Sequence, residues 1–196
     1  MIDGLTTGHE PAFDFPHFAG LPSRPYLLAT TPRSGSSWFG HRLWETGCLG
    51  APLEYLNFAP GGPLGELSED REAQERHWRS VLATRTSPNG VFGLKAFPLQ
   101  FEDLGAINSH LLDAVMRFLL ARGADTRVIH LVRRERKAHA ISYARASLSG
   151  RWLRPMKGTA RRVRKNSAIS EGSLLDPGAF RKPGTKASPT TRSQPA

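Results

Sequence analysis

Tyr26-Leu27-Leu28-Ala29-Thr30-Thr31-Pro32-Arg33-Ser34-Gly35-Ser36-Ser37-Trp38 is the stretch that sets the architecture. Its apolar start, Tyr26–Thr30, ends in turn-forming residues, as a buried strand does. Trp38–Glu45 then reads as a helix that stops at Gly47, a C-terminal cap. The intervening loop, Thr31–Ser37, gathers unpaired backbone N–H groups at the positive end of that helix, an arrangement that binds phosphate-like anions. Gly35 lets the backbone approach a ligand closely, Ser34, Ser36 and Ser37 add hydroxyl donors, and Arg33 adds charge. The plainer alternative is a turn with a serine helix cap. The spacing GxxxxGK[ST] and its lysine are absent, so an ATPase or GTPase reading loses its main support.

Working outward, Ala51–Gly65 is Pro- and Gly-rich and reads as loop. Glu69 and Asp70 open a charged helix to about Ala83, with acidic groups at its N-terminal end. Val91–Lys95 reads as a second strand. Residues 108–122 make an amphipathic helix, with Leu111, Leu112, Val115, Phe118 and Leu119 on one stripe and Gly123 as its stop. Val128–Val132 is a third strand, followed by a helix from about Arg136 to Ser149. Strands alternating with helices predict an α/β fold with a mainly parallel sheet. Residues 1–24 read as a loose lead-in, 25–153 as the α/β domain, and 154–196 as a basic, disordered tail with little to bury.

The 196 residues are enough to bury a core in one domain. No apolar run is long enough for a transmembrane helix, and the first residues lack the basic start and apolar run of a secretory signal. One cysteine, Cys48, leaves no internal disulfide and no Cys-rich zinc site. These features predict a soluble, cytoplasmic protein. The net charge of +10 is unevenly held: residues 1–150 carry 16 Lys and Arg against 15 Asp and Glu, and the last 46 carry 11 against 2. Such a tail can attract nucleic acid or simply be solvated. Charge alone supports a nucleic-acid binder, since no recognition helix, zinc finger or aromatic RNA motif accompanies it, so nucleic acid is not an expected partner.

A second anion grip is legible in Leu131-Val132-Arg133-Arg134, which closes the third strand, and Ser142 on the following helix. Parallel strands share one ligand-binding edge at their C-terminal ends, so both grips face one ligand. That pairing suits a nucleotide phosphorylated at both 5′ and 3′ positions; the alternative for Arg133 and Arg134 is surface charge. Lys95, ending the second strand, either faces this site or only closes the strand. His41 and His130 read as packing or surface residues. No metal-ligand spacing is seen.

YLLATTPRSGSSW, TGCLGAPLEYLNF, SPNGVFGLKAF and VIHLVRRERKAHAISYARA, in this order, resemble the bacterial carbohydrate sulfotransferases of the trehalose sulfotransferase and lipooligosaccharide (Nod-factor) sulfotransferase type. The resemblance covers about residues 25–150. It implies a P-loop-like α/β sheet and 3′-phosphoadenosine 5′-phosphosulfate as donor, without a metal. It places Arg33, Ser34, Gly35, Ser36 and Ser37 around the 5′-phosphosulfate, and Arg133 and Ser142 on the 3′-phosphate, with Arg134 as the alternative to Arg133. It makes Glu54 the catalytic base and Arg33 a charge at the reacting group. The acceptor would be a carbohydrate or glycolipid hydroxyl, and a homodimer is implied by the resemblance alone.

Two departures accompany the match. His139 stands where the family commonly has Gln, and the family's further C-terminal helices give way to the basic tail. The chain thus resembles a C-terminally shortened member, with part of its sheet expected to be uncovered. The alternative to an active sulfotransferase is a non-catalytic remnant that binds a nucleotide or a partner.

Overall fold

The structure, a computed structural model, describes residues 8–121 and 127–152. Strand β1, Arg24–Thr30, runs into the loop and then helix α1, Ser36–Glu45. Helix α2, Arg71–Thr84, starts where the Asp70 carboxylate accepts the Ala73 N–H, so the acidic residues read at its start include its cap. Strand β2, Val91–Ala96, is followed by helices α3, Pro98–Ile107, and α4, Ser109–Leu120, then strand β3, Arg127–Leu131, and helix α5, Arg136–Ser149. Helix α3 is absent from the sequence reading. Its sequence PLQFEDLGAI has no clean apolar stripe, and what starts it is Pro98 in the first turn plus the Gln100 side chain accepting the Phe97 N–H at 3.0 Å. Gly123 and the basic tail lie outside the described residues.

The three strands are parallel in the order β2-β1-β3, so the expected α/β fold with a parallel sheet is the observed one. Alternate residues of β1 serve opposite faces. Tyr26 and Leu28 pack with Phe39 and Leu43 of α1, while Leu27 meets the larger core of Trp78, Val81 and Leu82 from α2 and Leu111, Val115 and Leu119 from α4. All of β2 is buried, because the loop read at 51–65 is not wholly irregular: Leu53 forms a parallel bridge with Leu94 on the far side of β2. On the other flank β3 is largely exposed, with Val128 open to solvent.

Residues 8–23, ahead of β1, are tied to this core, although their sequence has no period. Phe15 and Phe18 N–H groups donate to the carbonyls of Thr84 and Ala83, and Phe13 and Phe15 pack against the core. Arg85, 4% exposed, holds the segment: its Nε pairs with Asp14 Oδ1 at 2.8 Å, and Nη1 and Nη2 donate to the carbonyls of Gly8 and Glu10. Its guanidinium also lies over the Trp44 ring. Breaking a buried charge network by removing one partner costs about 3–5 kcal/mol. Arg85→Ala is therefore expected to lower stability by about that amount in denaturant unfolding, against about 0.5 kcal/mol or less for the exposed Arg79→Ala.

His77 is packed against the rings of His9, Tyr55 and Phe58. Burial, with His9 and Arg85 adding positive charge, pushes its imidazole from 6.5 to about 4. The unfolded chain therefore binds a proton at His77 that the folded chain refuses. Stability is whole above pH 6.5 and falls as pH drops towards 4. Burial lowers His9 as well, adding in the same direction. The expected loss across that window is about 2–3 kcal/mol from His77. His77→Phe should flatten the curve of unfolding midpoint against pH between those limits.

Candidate functional site

Pairing of Thr30 with Leu131 ends β1 and β3 together, so the loop after β1 and Arg133–Arg134 after β3 leave the sheet side by side. Within the loop, Arg33 has φ +66° and Gly35 φ +97°. Glycine adopts that backbone freely; a side chain in the left-handed region costs about 1–2 kcal/mol, so Arg33 is a strained position of the kind that gathers at functional sites. A methyl group at Gly35 would meet nothing within 4 Å, so the loop is open there. The first bond of α1 runs from the Phe39 N–H to Gly35 O, and no side chain caps the helix. The N–H groups of Ser36, Ser37 and Trp38 precede that bond and have no partner among the described residues. Three free donors at the positive end of a ten-residue helix fit an anionic phosphate or sulfuryl group.

The serines are not equivalent. Thr30 donates its hydroxyl proton to Leu131 O at 2.9 Å, so in the 2.6 Å contact between them Ser34 is the donor to Thr30. Ser34 thus braces the loop against β1 and β3. Ser36 is buried, whereas Ser37 is exposed and accepts from Lys95 Nζ at 3.3 Å.

Lys95 connects the loop to Glu54. Its backbone N–H donates to Leu53 O, which sets Glu54 beside it, and its Nζ lies 3.0 Å from Glu54 Oε1. The lysine side chain is 4% exposed and the glutamate 21%, so the pair is sheltered yet open on the carboxylate side. Gln100 Nε2 and Asn57 Nδ2 both donate to Glu54 Oε2 at 3.1 Å. The carboxylate is therefore held from both oxygens, in one orientation.

The second grip meets the first from the α5 side. Arg33 Nε donates to Ser142 Oγ at 3.1 Å, and Nη1 to the carbonyl of Trp152 at 2.6 Å. Trp152 packs edge-on against Tyr143. His139 Nε2–H donates to Pro32 O at 2.7 Å, tying α5 to the loop. Arg133 and Arg134 are exposed and have no hydrogen-bond or ion-pair partner among the described residues. The fold thus sets two runs against the same loop, Arg33–Ser142 on the α5 side and Ser37–Lys95–Glu54 on the β2 side, with Arg133 and Arg134 following β3 nearby.

Gln100 and Asn57 were invisible to sequence reading. Asn57 stands three residues after Glu54 in a loop, and Gln100 belongs to the unread helix α3; the one signal for it was a polar side chain three residues after Phe97, the spacing of a helix-start bond. Among the described residues no three His, Cys, Asp or Glu side chains form a metal-holding group, and no helix is long and apolar enough to cross a membrane.

The strand–loop–helix thus offers three free N–H groups at the start of α1, with the braced Glu54 carboxylate reached from its Ser37 through Lys95. The chain belongs to the Stf0 sulphotransferase family, whose model matches residues 25–171, about three quarters of its length. It is thus an enzyme of the sulfotransferase type. The match runs past residue 153, where the sequence reading ended the α/β domain. Comparison with curated proteins finds no significant match.

The ion pair gives Glu54 a structural load. Glu54→Ala leaves the buried Lys95 ammonium without its counter-charge, an expected loss of about 3–5 kcal/mol. Glu54→Gln keeps an oxygen for Lys95 and should lose less. Adding Lys95→Met to Glu54→Ala should recover part of the loss, read as a coupling of about 1 kcal/mol or more in a double-mutant cycle of unfolding midpoints.

Proposed function

We propose that the protein moves a sulfuryl group from 3′-phosphoadenosine 5′-phosphosulfate to a hydroxyl of a carbohydrate or glycolipid. Family membership supports the sulfuryl transfer, and the free N–H groups at the start of α1 support a phosphosulfate cradle made by Arg33, Ser34, Gly35, Ser36 and Ser37. Arg133, or Arg134 in its place, and Ser142 hold the 3′-phosphate at the adjoining margin. The observation that carries the reading is the run from Glu54 through Lys95 to Ser37, which sets a braced carboxylate next to the anion loop.

When bound, the donor supplies an electrophilic sulfur with a phosphate leaving group. A sugar hydroxyl is a weak nucleophile at neutral pH, and Glu54 accepts its proton as the oxygen–sulfur bond forms. The sulfur–oxygen bond to the nucleotide phosphate breaks, and its electron pair stays on that phosphate. The loop N–H groups, already oriented before the reaction, stabilise the charge that gathers there, with the Arg33 charge adding to them from the α5 side of the loop. The proton stays on Glu54 and is lost to solvent when product departs. Gln100 and Asn57 do their part by keeping Glu54 Oε2 in place. A cytoplasmic location, a homodimer and residues 25–153 as the catalytic domain belong to the same reading; composition supports the first, and resemblance the second.

At about 100 times its dissociation constant, 3′,5′-bisphosphoadenosine should stabilise the purified protein by about 2.7 kcal/mol in thermal unfolding. Arg33→Ala and Arg133→Ala should each shrink that shift. Glu54→Gln should keep it while cutting sulfuryl transfer to a carbohydrate acceptor by about 100-fold or more. A folded protein whose transition ignores the nucleotide would instead fit a non-catalytic remnant.

A further inference from the structure

The anion loop contains no lysine, and its one cation, Arg33, is turned towards α5, where Ser142 and the Trp152 carbonyl take up its Nε and Nη1. On the opposite side, β2 delivers a second cation. Lys95 is buried, its backbone is fixed by the bond to Leu53 O, and its ammonium touches both Ser37 of the loop and Glu54. An ammonium has three donors. Two are accounted for, and the third has no partner among the described residues. Ser37 lies in the first turn of α1, where the free N–H groups are, so this unspent donor stands at the rim of the anion cradle.

Resting on the sulfuryl-transfer reading above, we infer that Lys95 is the catalytic cation of this site, parked on Glu54 until donor arrives. The lysine stem is flexible and carries a point charge, so Nζ can pass from Glu54 Oε1 past Ser37 Oγ to the incoming sulfuryl oxygens or the bridging oxygen of the phosphosulfate. Two consequences follow from one movement. The departing phosphate gains a positive partner in a sheltered place, where such charge acts most strongly. Glu54 Oε1 is freed of its counter-charge and becomes available to the acceptor hydroxyl. The bond changes are those of the transfer itself: acceptor oxygen–sulfur forms, sulfur–bridging oxygen breaks, the acceptor proton goes to Glu54, and Lys95 stays protonated throughout. The base is thereby engaged when donor is absent and released when donor is seated.

The test uses the full chain with Lys95→Met and Lys95→Arg. Lys95→Met should bind 3′,5′-bisphosphoadenosine, which has no sulfuryl group, within about threefold of wild type, while kcat falls by about 100-fold or more. Lys95→Arg, keeping the charge, should recover about tenfold of that loss. Wild-type kcat in Lys95→Met, or no recovery in Lys95→Arg, overturns the assignment. So does loss of bisphosphate binding in step with kcat, the pattern of a purely structural lysine. Should Lys95→Met lack a cooperative unfolding transition, the ammonium resonance of Lys95 in wild-type protein decides. It should shift on addition of the phosphosulfate donor without acceptor and stay put with bisphosphoadenosine; an unmoved resonance overturns the assignment. Wild-type protein that neither transfers a sulfuryl group nor binds the nucleotide removes the underlying reading, and this inference with it. An active wild type matched by Lys95→Met removes this inference alone.

Discussion

Parallel pairing of β1 with β2 on one side and β3 on the other is the constraint on which everything at the site depends. In a parallel sheet all strands end at the same edge, so whatever follows each of them is delivered to one place. Here β1 ends in the anion loop, β2 ends in Lys95 and Ala96, and β3 ends in the turn that carries Arg133 and Arg134. The single bridge from Leu53 to Leu94 adds a fourth contribution, because it lays the chain bearing Glu54 along the outer side of β2. Without that bridge Glu54 is a carboxylate on a Pro-rich loop with no reason to face the sheet edge.

The site is built from charges whose positions are fixed before any ligand arrives. Lys95 and Glu54 neutralise each other in a sheltered place, and Gln100 and Asn57 take up the remaining carboxylate oxygen. Arg33 is locked by α5 in a backbone conformation that costs energy to hold. Such an arrangement spends stability on readiness: the loop N–H donors need little rearrangement when an anion enters. The same economy explains His139. It bonds the Pro32 carbonyl and so ties α5 to the loop.

Much of this was readable residue by residue. The strand–loop–helix of Tyr26–Glu45, the acidic start of α2, the stripe of α4 and the span of α5 rest on local signals: apolar period, charge near a helix end, and turn-forming residues between elements. Glu54, Arg33 and the serines were legible as candidates because their motif context is local as well. Helix α3 was not, since its ten residues lack a dominant apolar face and owe their shape to Pro98, the Gln100 bond and neighbours far along the chain. The anchoring of residues 8–18 escaped for a related reason. It comes from Arg85, some seventy residues away, which no local pattern foretells.

Sequence alone was sufficient for the class of fold, the strand–loop–helix that opens it and the family, because each is written in contiguous residues whose backbone preferences act over a few positions. Tertiary structure decided which of those residues act together. That Ser34 faces inward while Ser37 faces Lys95, that Arg33 turns to Ser142, and that Gln100 and Asn57 grip Glu54 are outcomes of strand register and of distant segments meeting. Electrostatic pairing falls off over a few ångströms, and proximity on that scale between Glu54 and Lys95, or Arg33 and Ser142, exists only after the chain has folded.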